Sequence, residues 1–306
     1  MGSQLKHFVK SQQLNRPLID SLFRVADTFD KTYRSDALKG KIVTSFFYEP
    51  STRTRLSFES AAARLGATIL TTENAKEFSS AAKGESLEDT IRVVSGYSDA
   101  IILRHFNEGA AKIAASLSSV PVINAGDGTG QHPTQALLDI YTIQKELGRL
   151  EDFNITFVGD LASGRTVRSL CYLLGKFDGV RVTFVSPKNL RIGEDIKEYL
   201  KGRGVKFREK SKLESVLPKS DIIYVTRIQK ERIGIEDYES ARGMYVINRH
   251  NFGLIRLDAR IMHPLPHVEE ISLPIRTEQN DERVAYFRQA ENGMYIRMAL
   301  LSHMLR

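Results

Sequence analysis

Tryptophan is absent from the 306 residues, cysteine occurs once, and no apolar run approaches a bilayer-spanning helix; such a helix needs ~20 apolar residues. Each shortage excludes something. A single cysteine, Cys171, rules out an internal disulfide and any thiolate metal cage. It lies in "VRSLCYLLGKF", a helical pattern, and is expected as a small core residue in a reducing compartment. The lack of a long apolar run predicts no membrane association. The opening "MGSQLKHFVKSQQLNRP" has no apolar signal core, so no secretion is expected. No second histidine or carboxylate stands at ligand spacing around the candidate residues, so no metal site is expected. Blocks of basic residues are missing too. The net charge is +7 and the pI about 9.3, yet Lys and Arg are scattered without aromatic interleaving. That pattern argues against nucleic acid and fits small, highly anionic substrates.

What is present is an alternation of strands and helices. "NRPLIDSLFRVADTFDKTY" reads as a helix capped by Asn15, with Pro17 in its first turn and one face marked by Leu18, Leu22, Val25 and Phe29. "KIVTSFFY", "ATILTT", "AIILRH" and "PVINAG" read as buried strands, separated by helical "RLSFESAAARLG", "SLEDTIRVVSGYS" and "EGAAKIAASLS". A long helix, "HPTQALLDIYTIQKELG", ends at Gly148. The pattern restarts with "NITFVG", "TVRSLCYLLGKF", "VRVTFVS", "GEDIKEYLKGRG" and "DIIYVTR"; "MYVIN" and "RIMHPL" are later strands, and "NGMYIRMALLSHML" is helical. Two such runs predict an α/β protein of two doubly wound domains with mostly parallel sheets. The expected boundaries are 1–131 for the first domain, with helix 291–306 packed back onto it, and 132–290 for the second.

Open parallel sheets bind ligands beyond the carboxyl ends of their strands. That rule singles out "EPSTRTR", "LRH", "GDGTGQHPTQ", "GDLASGR", "TRIQ" and "HPLP", each polar and each following a strand pattern. If Ser51 begins a helix, the next amides point outward at the positive end of the helix dipole, where a phosphate is favoured. Ser51, Thr52 and Thr54 add hydroxyl donors and Arg53 a two-pronged contact; alternatively Ser51 is only a helix cap and the arginines are solvated. Arg104 ends a strand, in a functional or a structural role. His132 precedes Pro133 at a helix start with Gln135 one turn on. The imidazole and amide either donate to a carbonyl oxygen, or His132 merely caps the helix. Arg165, Arg227 and Gln229 suit a dicarboxylate, with Arg227 and Gln229 on one side of an extended segment. "VGDLASGRT" lacks the G-x-G-x-x-G spacing of a dinucleotide fingerprint. Lys83 lies in a loop of small residues, "EFSSAAKGES", where a lysine is ordinarily solvated. The "HPLP" turn, stiffened by two prolines, either aims backbone carbonyls at a ligand or makes a bend.

Taken together, "FFYEPSTRTRLSFE", "AKGESLEDT", "NAGDG…QHPTQALLD", "GRTV", "TRIQKER", "MHPLP" and "YFRQAENGMYIRMALL" resemble the catalytic chain of aspartate carbamoyltransferase over nearly the whole length, in order. The look is that of the plant plastid branch. The resemblance implies transfer of the carbamoyl group from carbamoyl phosphate to L-aspartate in de novo pyrimidine synthesis, with no metal, no cofactor and no covalent enzyme intermediate. It implies that Ser51, Thr52, Arg53 and Thr54 hold phosphate, and that Arg104 contacts both phosphate and carbamoyl oxygen. Thr54 and His132 polarise that oxygen, while Gln135 and the backbone carbonyls of Leu265 and Pro266 hold the carbamoyl NH₂. Arg165, Arg227 and Gln229 take aspartate, and Ser79 and Lys83 act on a neighbouring subunit's site in a homotrimer. UMP binding at the phosphate loop, in competition with carbamoyl phosphate, follows from the plant-branch likeness. So does the expected location: cytoplasm, or plastid stroma once a transit peptide is removed.

Ornithine carbamoyltransferase shares S-T-R-T-R and H-P-x-Q but lacks the lysine loop and R-x-Q, and usually reads H-C-L-P; Arg165 and Arg227 would repel a cationic ornithine side chain. The alternatives are that ornithine-type activity, or a catalytically silent homologue. One departure from the family pattern is visible. After "HPLP" an arginine is usual, and this chain has His267, followed by Val268, Glu269 and Glu270.

Overall fold

A computed structural model describes residues 5–228, 238–239 and 242–306. The chain forms two compact units, Met1–Leu138 with Glu291–Arg306, and Asp139–Ala290. The first division falls inside the helix Pro133–Leu147, beyond residue 131, because the start of that helix belongs to the first unit, where Leu138 lies against Gly293. The second falls inside the helix Tyr286–Leu305.

In the first unit, strands β1 (Ile42–Phe47), β2 (Thr68–Glu73), β3 (Ala100–His105) and β4 (Val122–Asp127) form a parallel sheet in the order β2-β1-β3-β4. The free edge of β4 is covered by the N-terminal segment. Phe8 N–H donates to Val122 O, and Asn124 N–H to Phe8 O, both at 2.9 Å. Helix Arg16–Thr32 begins where the sequence places it: Asn15 Oδ1 accepts Leu18 N–H at 2.9 Å and Pro17 sits in the first turn. Its buried stripe, however, is Ile19, Leu22, Phe23, Ala26 and Phe29, rotated from the expected face because the flanking Leu18 and Val25 are only half-buried.

In the second unit, β5 (Asn154–Val158), β6 (Arg181–Val185), β7 (Lys206–Lys210), β8 (Ile222–Val225), and, after the two-residue β9 (Ile247–Asn248), β10 (Arg260–Met262) build a parallel sheet ordered β10-β8-β5-β6-β7. β9 pairs with β11 (Ile271–Ser272) in a separate two-stranded sheet. β5 and β8 are buried almost throughout, the signature of a sheet covered on both faces. Phe157 stacks on Phe184 at 5.8 Å and meets Tyr224 edge-on at 5.5 Å; deleting a ring of this kind costs ~3–5 kcal/mol. Cys171 is fully buried, and burial pushes its thiol pKa up, which suits a packing role.

The sequence reading needs three corrections here. "ATILTT" is no buried strand: β2 is an edge strand with an exposed or half-exposed pattern. β7, "KFREK", was not anticipated, since its alternation of exposed and half-buried residues carries charge at four of five positions. β11 is too short to give a periodic signal. Among the described residues no helix is long and apolar enough to cross a membrane.

Candidate active site

In each sheet the first strand has neighbours on both sides, so the direction in which successive strands are added reverses there and a crevice opens at the carboxyl ends. In the first unit that point lies between β1 and β3, where Phe47 pairs with Arg104. The chain leaving β1 turns into helix Thr52–Arg64 with Ser51 at the cap position, and the Ser51 side chain makes no capping hydrogen bond. Its hydroxyl is therefore not committed to the role of a simple cap, and the first helical amides retain their outward direction. Thr54 is buried on this turn, and its Oγ1 lies 3.5 Å from His132 Nε2. His132 Nδ1 in turn lies 3.4 Å from Thr134 Oγ1. His132 and Gln135 are both buried at the head of the helix Pro133–Leu147.

Arg104 reaches back over this crevice. Its Nη1 donates to Ala125 O at 3.2 Å, and its Nε stands 3.4 Å from Glu49 Oε2. The guanidinium is thus held at the end of β3 in a mostly buried position. The next residue, His105, accepts Asn107 N–H on Nδ1 at 2.9 Å and stacks on Phe106 at 4.2 Å. Burial lowers the pKa of His105, with the charge of Glu49 opposing, so the ring stays neutral beside Arg104.

The loop that delivers His132 is built on Asp127. One carboxylate oxygen accepts from Gln131 N–H at 3.0 Å and from Asn124 Nδ2 at 3.1 Å, and the other from Gly109 N–H at 3.1 Å. Gly128 has φ +50°, and a Cβ there would meet Phe106 O at 2.6 Å. Only glycine lets this loop approach the turn after β3 so closely. Ser11 N–H, from the N-terminal segment, donates to Gln131 Oε1 at 2.9 Å.

In the second unit the corresponding point lies between β5 and β8, which pair from Ile155↔Ile222 to Val158↔Val225. Arg165 is buried at the first position of helix Arg165–Leu174. The turn before it is held by Ser163 N–H on Asp160 Oδ1 at 2.9 Å. Arg227 follows β8 and is half-buried, after Thr226 N–H has donated to Val158 O at 2.8 Å. Gln229 lies outside the described residues. After β10 comes the HPLP turn. Its Leu265–Pro266 bond is cis, Leu265 has φ +56°, and Leu265 N–H donates to His263 Nδ1 at 2.8 Å.

Ser79 and Lys83 lie on the segment joining β2 to helix Leu87–Ser95. Ser79 Oγ donates to Ala75 O at 2.5 Å and accepts Ala81 N–H at 3.1 Å, which shapes the short helical turn Ser80–Lys83. Lys83 itself is exposed. Among the described residues no group of three or more His, Cys, Asp or Glu is placed to hold a metal ion.

Residues 6–145 match the family model described as the aspartate/ornithine carbamoyltransferase carbamoyl-P binding domain, and residues 151–304 match its Asp/Orn binding domain. The chain belongs to the aspartate/ornithine carbamoyltransferase family. Within it, the chain is 53% identical over 99% of its length to the chloroplastic aspartate carbamoyltransferase of Arabidopsis thaliana, covering 78% of that protein. The catalytic subunit of aspartate transcarbamoylase from Methanocaldococcus jannaschii superposes with a TM-score of 0.89 at 46% identity, covering 98% of both chains. The Trypanosoma cruzi aspartate transcarbamoylase, solved with carbamoyl phosphate and aspartate, gives 0.91 at 36% identity, covering 98% of this chain and 97% of that one. These likenesses lie on the aspartate side of the carbamoyltransferase family, and the plant relative agrees with the plastid-branch look of the sequence. Three side chains of the site had no sequence signal of their own. Glu49, Asn124 and Asp127 matter only through partners that the fold brings beside them.

Proposed function

We propose that the first unit binds carbamoyl phosphate through Ser51, Thr52, Arg53, Thr54, Arg104, His132 and Gln135, and that the second binds L-aspartate through Arg165, Arg227 and Gln229. The chain is an aspartate carbamoyltransferase, forming N-carbamoyl-L-aspartate and phosphate for pyrimidine synthesis. The observation that carries the residue assignment is the convergence of Thr54, His132 and Arg104 beside an uncapped helix start at the switch point of the first sheet.

The chemistry follows from those groups. The helix start and Arg53 neutralise the phosphate. Thr54, Arg104 and His132 donate to the carbamoyl oxygen. When the aspartate amine attacks the carbamoyl carbon, negative charge builds on that oxygen, and preset donors stabilise it more than they stabilise the ground state. The carbamoyl NH₂ is held by Gln135 and by the backbone carbonyls of Leu265 and Pro266. Collapse of the tetrahedral intermediate expels phosphate, whose charge the same cations accommodate. Two arginines gripping two carboxylates select aspartate over a cationic ornithine side chain.

Ser79 and Lys83 act, in this reading, on a neighbouring subunit of a homotrimer. Two features support it. Lys83 is exposed and separated in sequence from the strand-end clusters, and large apolar side chains of the first unit stand in solvent, among them Phe78 at 77% and Tyr97 at 63% exposure. Exposed apolar groups of this size are available to an association surface. UMP competes with carbamoyl phosphate at the phosphate loop. The chain acts in the plastid stroma or the cytoplasm.

The test is a product assay with carbamoyl phosphate and either L-aspartate or L-ornithine, using the unmodified chain, Lys83→Ala, His132→Ala and a mixture of the two variants. Product from aspartate alone, and activity regained in the mixture, are expected. Product from ornithine sinks the assignment of Arg165 and Arg227. A mixture no better than its parts sinks the shared site. Calorimetry with UMP, with and without carbamoyl phosphate, tests the inhibitor reading; binding undisturbed by carbamoyl phosphate ends it.

A further inference from the structure

The HPLP turn is closed at its base by a pair of buried side chains whose contact the sequence reading did not foresee. His263 directly follows β10 and Glu270 directly precedes β11. His263 Nε2 stands 2.9 Å from Glu270 Oε1, with the two side chains 1% and 8% exposed. The other ring nitrogen, Nδ1, accepts Leu265 N–H at 2.8 Å. A backbone amide only donates, so Nδ1 carries no proton and the ring proton sits on Nε2, the nitrogen 2.9 Å from the carboxylate. The same Glu270 oxygen accepts Val268 N–H at 3.1 Å. One His–Glu contact thus holds backbone amides on both sides of Pro266.

Both partners are anchored outside the turn. His263 N–H donates to Gln289 Oε1 at 2.8 Å, and Glu270 O accepts Ile247 N–H at 2.9 Å from β9. The turn between them is not relaxed on its own account, because Leu265 occupies the left-handed region at φ +56°. A leucine stays there only when its surroundings hold it. Burial alone would raise the pKa of Glu270. Contact with the His263 ring and with the Glu270 and Val268 amides outweighs burial and leaves it below its ordinary value.

We propose that His263 and Glu270 are positioning residues for carbamoyl transfer: their buried contact sets the Leu265–Pro266 turn and so aims the two backbone carbonyls at the carbamoyl NH₂. This rests on the reading of Leu265 and Pro266 given above. Neither side chain touches substrate. A clamp of this kind acts by geometry, and a displacement of about 1 Å at a reacting centre costs up to ~100-fold in rate. A merely structural pair would change stability and leave the kinetics of the folded enzyme alone.

The experiment compares the unmodified full chain with Glu270→Ala, Glu270→Gln and His263→Asn. It measures kcat, both KM values, inorganic phosphate binding by calorimetry, and Tm. Glu270→Ala is expected to lose roughly 10–100-fold in kcat/KM for carbamoyl phosphate, with phosphate binding within about twofold, since the phosphate contacts belong to the first unit. Glu270→Gln still presents an oxygen to His263 and Val268 and is expected to regain most of that loss. His263→Asn keeps an acceptor for Leu265 N–H but loses Glu270, and is expected to fall between them. Unchanged kinetics in Glu270→Ala overturn the proposal, as does a Glu270→Gln variant no better than alanine. If the alanine variant does not fold, His263→Asn with unchanged kinetics overturns it and a selective loss of kcat/KM supports it. No carbamoyl aspartate from the unmodified chain overturns the parent reading and this one together, whereas an active parent with indifferent variants overturns this one alone.

Discussion

The proposed phosphate side and the proposed aspartate side of this protein are assembled differently. On the first unit, four successive residues, Ser51 to Thr54, crowd the start of a 13-residue helix, and buried His132 and Gln135 and half-buried Arg104 are the other candidates. In the proposed reading, helix amides, hydroxyls and guanidinium groups all serve one anion. On the second unit the cations arrive singly from separate strand ends, Arg165 after β5 and Arg227 after β8. A phosphate presents many acceptor oxygens in a small volume, and a dense patch of donors meets it. A dicarboxylate presents two separate charges, and two arginines on different loops meet those. Redundancy on one side and its absence on the other should appear in mutant kinetics.

The largest effect is expected at His132. Removing one preset donor to a developing oxyanion typically lowers kcat ~100–1,000-fold, so His132→Ala should lose about that much while still binding inorganic phosphate in calorimetry. Retained kcat would remove His132 from the chemistry. On the aspartate side, Arg165→Ala and Arg227→Ala each delete a charged hydrogen bond worth ~1.5–3 kcal/mol. The expected outcome is an aspartate KM raised roughly 10–100-fold with the carbamoyl phosphate KM unchanged. If both KM values rise together, the division of labour between the units is wrong.

The support beneath the phosphate side can be broken without touching it. Gly128→Ala places a Cβ 2.6 Å from Phe106 O at φ +50°. A conformation of that kind costs about 1–3 kcal/mol, and a lower Tm with a lower kcat is expected; an unshifted melt would show that the loop yields freely. Acid should weaken the first unit. His7, His105 and His303 are all held below the ordinary histidine value, chiefly by burial. The unfolded chain therefore binds more protons, so this part of the stability is complete above about pH 6.5 and is lost as pH falls toward the folded-state values. Thermal melts between pH 7.5 and 5.5 should show Tm falling with pH; a flat profile contradicts it. The smallest effect belongs to His267, whose Nε2 lies 3.4 Å from Glu278 Oε1 beside the Tyr286 ring. His267→Arg replaces an imidazole with a permanent cation beside Glu278, and a changed pH–rate curve or aspartate KM is expected. If both stay unchanged, the substitution is neutral.

Much of this was legible in advance because it is local. Asn15 and Pro17 mark a helix start through their own backbone chemistry, and Gly148 marks a helix end at φ +71°. The motif after each long strand pattern falls where parallel sheets gather ligands. Elements whose surroundings decide their character were read less well. "ATILTT" has the composition of a core strand but lies at an edge, and "KFREK" pairs as β7 despite its charges because an edge strand keeps one face wet. Glu49 beside Arg104, Asp127 tying Gly109 to Gln131, and His263 against Glu270 join residues that no periodicity links.

The sequence alone was enough for the α/β class, the parallel alternation, the helix start after β1 and the family, since each depends on residue type at short spacing. Tertiary structure alone decided which strands are edges, which buried groups brace the site loops and which ring nitrogen of His263 carries the proton. Those depend on distances between residues far apart in the chain, and a hydrogen bond exists only where the fold has already brought donor and acceptor within about 3 Å.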